Sequence, residues 1–311
     1  MKSVAVASRS FSKHLALRGE LLKLYPDAKF NDEGLSLNGD TLVNFLKGYE
    51  KAITALETID NKLLKQLPDL KVIGKYGVGL DMIDLDAMQR HNVKLGWTGG
   101  VNKRSVSELV VSFAISLLHR TVFSNSEVKS GKWYQVKGRQ LSGCTFGIIG
   151  CGHIGKDLIK LLQPFDCKII VNDIKIFPEF YKEYSITPVT LDELLAKSDV
   201  VTLHLPLDNS TKNILNKENL KLLKKDSILV NLARGGLIDE IELKYMIVNK
   251  KIAGVALDVF EQEPPQDKEL LSLENVLVTP HIGGSTEEAI LAMGMAAIGG
   301  LDKNKNASEY K

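Results

Sequence analysis

Six runs in the second half of the chain are apolar almost without a break: TFGIIG from Thr145, KIIVND from Lys168, DVVTLHLP from Asp199, SILVNLAR from Ser227, IAGVALDVF from Ile252 and NVLVTP from Asn275. A strand with one wet face alternates apolar and polar residues, whereas a strand covered on both faces reads as one apolar run. Helical or loop stretches separate these runs, so the pattern predicts a parallel sheet sandwiched between helices. The first hundred residues show a shorter version of the same alternation. SVAVASRSF reads as a strand, and HLALRGELLKLYP as a helix stopped by Pro26. DTLVNFLKG reads as a helix with Asp40 as N-cap, KAITAL as a strand, NKLLKQLPDL as a helix capped by Asp60, and KVIGKYG as a strand. Two such series in 311 residues suit two domains. The fold class expected is α/β, with two doubly wound parallel sheets.

Between the series, SVSELVVSFAISLLHRTVFSNSEVKSG reads as one long helix, opened by a capping box of Ser105 and Glu108. A basic and aromatic arm, KWYQVKGRQ, follows it. From Ser285 the chain reads as one more helix and a polar, Lys-rich tail. Domain crossings are expected near residues 100 and 285, giving a discontinuous first domain (1–99 plus 286–311) around a second (100–285).

Composition narrows the function. Forty Lys and Arg stand against 38 Asp and Glu, a net charge of +2, which advertises no nucleic-acid or anionic-membrane surface. The longest apolar run, residues 109–118, is ten residues, about half a membrane span. The N-terminus turns polar too early for a signal peptide. Cys144, Cys151 and Cys167 are too few and too clustered for a disulfide framework and lack zinc-ligand spacing, so no metal is expected. A reduced, cytoplasmic chain is expected.

The chemistry gathers at strand ends. GIIGCGHIGK carries Gly150, Gly152 and Gly155 as G-x-G-x-x-G, closing an apolar strand and opening an amphipathic helix. Such glycines permit the tight turn, the approach of backbone to a pyrophosphate, and close helix–strand packing. The helix N-terminus then offers free N–H groups to the phosphates. The next strand ends in Asp173, 18 residues past Gly155, where a carboxylate can accept from the adenosine ribose. Later strands end in Arg234 (followed by Gly235 and Gly236), in Asp258 with Glu263 beyond it, and in His281 after Pro280. An Arg, a carboxylate and a His suit hydride transfer between nicotinamide and a 2-hydroxy or 2-oxo acid. The guanidinium grips carboxylate and carbonyl, the imidazole moves the hydroxyl proton, and the carboxylate fixes the ring.

With these motifs in view, the chain resembles the D-isomer-specific 2-hydroxyacid dehydrogenase family, and within it the D-3-phosphoglycerate dehydrogenase branch. The resemblance runs over roughly residues 45–290 through KYGVGLDMID, NKRSVSEL, GIIGCGHIGK, HLPLDNST, VNLARGGLIDE, ALDVFEQEPP and TPHIGGSTEEA. It implies a Rossmann NAD domain inserted into a smaller, flavodoxin-like substrate domain. It further implies Arg234, Glu263 and His281 as the catalytic set, with His281 the proton donor in the reducing direction. The cofactor would be lined by Gly150, Gly152, His153, Ile154, Gly155, Asp173, Leu205, Leu232, Ala233, Arg234, Asp258, His281, Gly283 and Gly284, with Val78 approaching from the other lobe. Asp258 would meet the nicotinamide carboxamide. Gly77, Val78, Gly79, Asn102 and Arg234 would face the substrate.

The sequence departs from the family pattern in places. Met82 stands where an Asn usually follows the Asp of GVGxD. Thr54, with Glu57 close behind, stands where serine-pathway enzymes often carry a phosphate-binding Arg, and Lys75, with Arg104 or Lys103 as further candidates, is the cation left to meet a phosphate. The sequence ends at Lys311, so the short form without a C-terminal regulatory domain is expected. D-3-phosphoglycerate is the first substrate expected, with hydroxypyruvate, glyoxylate or a sugar acid as alternatives. A non-enzymatic NAD(H)-sensing dimer is the competing class. A homodimer is expected, formed through residues 109–118 and the arm with Trp133 and Tyr134.

Overall fold

The computed structural model describes residues 4–310, and the chain divides into two compact units: one of residues up to Asn102 and from Glu287 onward, the other Lys103–Thr286. Thirteen strands, numbered in chain order, form two sheets among the described residues.

The first unit holds β1 (Val4–Val6), β2 (Lys29–Phe30), β3 (Lys51–Thr54), β4 (Val72–Lys75), β5 (Lys94–Gly96) and β13 (Lys305–Asn306), in the order β13-β5-β4-β3-β1-β2. Five strands are parallel; β13 pairs antiparallel with β5. Successive residues alternate between two cores, Ala52 and Ile73 on one face, Ile53 and Val6 on the other. That alternation is why both faces had to be apolar.

Several local readings needed correction here. The first strand stops at Val6, because the Ser8 hydroxyl accepts from Phe11 N (3.3 Å) and caps a short helix, Arg9–Lys13. Asp40 lies inside its helix, Gly39–Leu46; the cap is Asn38, whose N–H donates to Thr41 Oγ1 at 3.0 Å. Asp60 does cap, accepting from Leu63 N at 2.8 Å. The polar tail is folded. After the helix Glu287–Gly300, β13 adds to the sheet edge and Tyr310 donates to Leu95 O while its ring meets Trp97 edge-on.

The second unit holds β6 (Thr145–Ile149), β7 (Lys168–Asn172), β8 (Thr187–Pro188), β9 (Val200–Leu203), β10 (Ile228–Asn231), β11 (Gly254–Leu257) and β12 (Val276–Val278). All are parallel, in the order β12-β11-β10-β9-β6-β7-β8. The chain winds outward from β6 through β7 to β8, then returns to start again at β9. This is the doubly wound arrangement, and its topological switch point lies between β6 and β9. Phe146, Ile148 and Val171 face one core with the helices Lys103–Leu118 and His153–Leu162; Val201, Leu203 and Val255 face the other.

The expected long helix is two helices, Lys103–Leu118 and Thr121–Lys129, bent by 62°. Arg120 takes the left-handed conformation (φ 55°) at the break, and the arm docks there, Arg139 N donating to the Leu118 carbonyl at 2.9 Å. A tertiary donor thus ends a helix that apolar periodicity alone would continue. Ser105 is no cap either; it sits within the first of these helices and donates to Gly283 O at 2.6 Å. No single helix among the described residues is long and apolar enough to cross a membrane.

Candidate active site

Every residue of the expected catalytic set lies in the second unit, on loops leaving the carboxyl ends of its strands, where ligands bind in open α/β sheets. The β6 loop is shaped by its glycines. Gly150 has φ +98°, and a Cβ there would stand 2.5 Å from His204 O; a Cβ on Gly155 would stand 2.2 Å from Gly150 O. These two glycines answer to the protein's own packing. Gly152 differs: it is exposed, and nothing lies within 4 Å of its Cβ direction. It precedes the helix His153–Leu162 with no side chain capping the helix. A cradle open on the outside, with uncapped N–H groups, is what a pyrophosphate requires.

Asp173, at the end of β7, holds this loop. Its Oδ2 accepts from Cys151 N at 2.5 Å and its Oδ1 from Lys175 N at 2.7 Å. A carboxylate has about four acceptor positions, so two remain for ribose hydroxyls. His153 is exposed, Ile154 and Leu205 are half-buried, and Leu232 and Ala233 are buried beyond β10.

Arg234 leaves β10 on a turn fastened by Asn231, a residue that sequence reading passed over. Asn231 is 2% exposed; its amide donates to Arg234 O at 2.9 Å and its Oδ1 accepts from Ala233 N at 3.0 Å. One arm of the Arg234 fork, Nη1, donates to Ala233 O at 2.7 Å. Gly235 has no room for a side chain, since a Cβ would fall 1.9 Å from Phe260 O. The arginine turn is therefore pressed directly on the segment leading to Glu263.

Glu263 Oε1 accepts from Phe260 N at 3.2 Å, and Oε2 lies 2.9 Å from His281 Nδ1. With Nδ1 on the carboxylate, Nε2 is the nitrogen left for substrate. His281 has φ +56°, uncommon for a side-chain-bearing residue. Asp258 enforces this backbone. It is 1% exposed and accepts from Thr279 Oγ1 (2.5 Å), Ile282 N (2.7 Å) and Gly283 N (2.7 Å). Its observed work is to clamp the histidine loop. Gly283 and Gly284 follow in that loop, and Ser105 clamps it from the other side through the Gly283 carbonyl.

The loops of the first unit stand by themselves. Lys75 is 4% exposed, and its ammonium donates to Ala55 O (2.6 Å) and Tyr76 O (3.2 Å). Glu57, 9% exposed, accepts from Ala55 N at 2.5 Å. Both charges thus converge on one residue, Ala55, from its carbonyl and its N–H. Gly77, Val78 and Gly79 follow β4, with Val78 O accepting from Trp97 Nε1 at 3.1 Å. Asn102 is buried with its Oδ1 unpartnered, and so is the hydroxyl of Thr54; Met82 is exposed.

His204 ends β9 behind Gly150. Its Nε2 meets Thr202 Oγ1 at 3.2 Å and its Nδ1 has no partner; burial pushes the imidazole down to about 3. The unfolded chain takes up a proton near pH 6.5 that the folded chain refuses until about pH 3. Stability from this residue is complete above pH 6.5 and drains away as pH falls between those values. Between pH 7 and pH 5 the wild type should lose about 2 kcal/mol more than His204→Gln in urea unfolding. Equal losses would contradict the assignment.

Residues 111–283 match the NAD binding domain of the D-isomer specific 2-hydroxyacid dehydrogenases, and the chain belongs to that family. It is 35% identical over 282 residues to D-3-phosphoglycerate dehydrogenase of Methanocaldococcus jannaschii, matching 89% of this chain but 54% of that one. The chain thus spans about half the length of that relative. To hydroxypyruvate reductase of Thermotoga maritima it is 35% identical over 292 residues, 92% of this chain and 88% of the relative. Among solved structures, D-lactate dehydrogenase of Aquifex aeolicus complexed with NAD and lactic acid superposes with a TM-score of 0.84. It is 26% identical, over 96% of this chain and 93% of that one.

Proposed function

We propose that this protein is an NAD-dependent oxidoreductase interconverting a D-2-hydroxy acid and its 2-oxo acid. The observation that carries the reading is the His281–Glu263 pair at 2.9 Å, set beside the arginine turn through Gly235. Bound nicotinamide supplies or accepts the hydride. The rest is the work of this chain. Arg234 presents a planar fork to the substrate carboxylate and carbonyl oxygen, binding the one and polarising the other. His281 Nε2 gives a proton to that oxygen in reduction and takes it back in oxidation. Glu263 holds Nδ1–H, so the ring's two working states differ by one proton at Nε2. Gly150, Gly152 and Gly155 shape the cradle for the pyrophosphate, and Asp173 takes the ribose. NADH should exceed NADPH in kcat/KM by about tenfold or more, because Asp173 repels a 2′-phosphate while Lys175 softens the repulsion. Equal values would remove Asp173 from this role.

The substrate reading begins with D-3-phosphoglycerate, through the family branch and Lys75 as the phosphate cation. One observation favours a second reading, a small unphosphorylated acid such as hydroxypyruvate or glyoxylate: two of the three Lys75 N–H groups already serve backbone carbonyls. A panel of 2-oxo acids followed by NADH absorbance tests both. Faster turnover of 3-phosphohydroxypyruvate supports the first, faster turnover of hydroxypyruvate or glyoxylate the second. NADH binding without turnover of any of them would leave the dinucleotide-sensing reading.

A homodimer is part of the proposal, with its surface relocated. Val110, Phe113, Ala114 and Leu118 of the first helix are buried in the unit's own core. The exposed apolar groups lie beyond the bend: Val122, Val128, Trp133 (88% exposed) and Tyr134. An apolar surface of this kind suits a second copy. Sedimentation should give twice the 34.3 kDa chain mass, falling to one chain in Trp133→Glu. A concentration-independent single-chain mass for the wild type would refute the dimer.

A further inference from the structure

Two nucleophiles that the candidate site does not use face each other at the opposite edge of the second sheet. Cys144 and Cys167 stand one residue before β6 and β7. The Cys144 carbonyl accepts from Lys168 N at 3.0 Å, the bond by which a parallel ladder sets residue 144 opposite residue 167. The pairing of Thr145 with Lys168 continues that register. Residues opposite each other on neighbouring strands project to one face. Both side chains accordingly lie in the core beneath the helices Lys103–Leu118 and His153–Leu162. Their thiols converge on consecutive carbonyls of one turn: Cys144 Sγ donates to Gln140 O at 3.3 Å, and Cys167 Sγ to Leu141 O at 3.5 Å. Neighbouring strands run about 4.8 Å apart. That lies within the Cα separation of about 4.4–6.8 Å that a disulfide spans.

The two thiols differ in access. Cys167 is half-buried, so a small reagent reaches it, whereas Cys144 is buried. Burial raises the Cys144 thiol, and Arg139 Nη2, 4.0 Å from its Sγ, offsets part of that rise. Burial, with Cys144 and Asp166 beside it, pushes the Cys167 thiol up to about 11. Thiolate is therefore scarce at neutral pH, and exchange at this pair is slow. The third cysteine, Cys151, lies at the other end of β6, fully buried and hydrogen-bonded to Tyr181.

We infer that Cys144 and Cys167 are an oxidisable pair, a covalent modification site that a low-molecular-weight disulfide converts to a bond between the feet of β6 and β7. The Cys167 thiolate, its proton lost to solvent, attacks one sulfur of glutathione disulfide and displaces a glutathione thiolate. The Cys144 thiolate then attacks the Cys167 sulfur of the mixed disulfide and displaces the second glutathione. The protein gives up two electrons and two protons, and glutathione disulfide is reduced to two molecules of glutathione. This site is independent of the dehydrogenase reading, since none of its residues belongs to the cradle or to the catalytic loops.

Incubation of the folded full chain with glutathione disulfide at about pH 8.5, then acid quenching and mass spectrometry, tests it. The wild type should lose two hydrogen atoms without retaining glutathione, and its three free thiols should fall to one. Trypsin should release residues 140–156 joined to residues 161–168, with fragmentation placing the link on Cys144 and not on Cys151. Dithiothreitol should restore all three thiols. Cys144→Ser should stop at one glutathione on Cys167. The wild-type peptide map stands whether or not that variant folds. A wild type that also stops at the mixed disulfide, keeps three free thiols, links two chains or bonds through Cys151 would overturn the inference. An internal bond retained in Cys144→Ser would overturn it equally.

Discussion

Replacing His281 by Asn is expected to lower kcat by about 10²–10⁴ while NADH binding stays within about twofold of wild type. Asparagine is the informative substitution because of the backbone. His281 sits at φ +56°, a region that Asn tolerates far better than a β-branched or bulky residue. His281→Asn thus keeps the loop that Asp258 clamps through Ile282 N and Gly283 N and removes only the group that moves a proton. Wild-type turnover in this variant would place the proton donor elsewhere. A large loss of NADH binding would show that the loop itself had collapsed. Asp258→Asn provides the contrast: it weakens the clamp and should lower kcat and cofactor affinity together.

Arg234→Ala should raise KM and lower kcat at once, with kcat/KM falling by about 10²–10⁴, because one guanidinium both binds the substrate carboxylate and polarises its carbonyl. Arg234→Lys should recover charge without the fork, and so repair KM more than kcat. The geometry sharpens the expectation. Asn231 fixes the turn by two hydrogen bonds, and Gly235 leaves no space between that turn and Phe260, so the guanidinium's root cannot drift to accommodate a shorter chain. Equal recovery of KM and kcat by lysine would mean that the fork is not used. Unchanged kcat/KM in Arg234→Ala would remove Arg234 from the site.

Sequence alone determined the central strands, because a strand buried on both faces is apolar throughout, while the two-residue edge strands β2, β8 and β13 carry no such run and were decided by pairing. It also determined which residue types stand at the strand ends, since G-x-G-x-x-G, Arg234, Glu263 and His281 are local in the chain and carry their chemistry with them. Local capping was legible where the partner lay a turn away, as for Asp60, and misleading where the true partner was distant. Ser105 matched a capping box, yet its hydroxyl belongs to Gly283, 178 residues on. The helix from Lys103 should have continued by periodicity, yet it ends where the Leu118 carbonyl takes a donor from the arm. Asn231 and the clamp of Asp258 on the histidine loop left no mark in sequence, because a hydrogen bond between segments has no periodicity to betray it. Lys75 read as a free cation until tertiary structure set two carbonyls against it. Periodic burial is written along the chain, residue after residue. Long-range polar pairing is decided only when the sheets have brought distant loops to one edge.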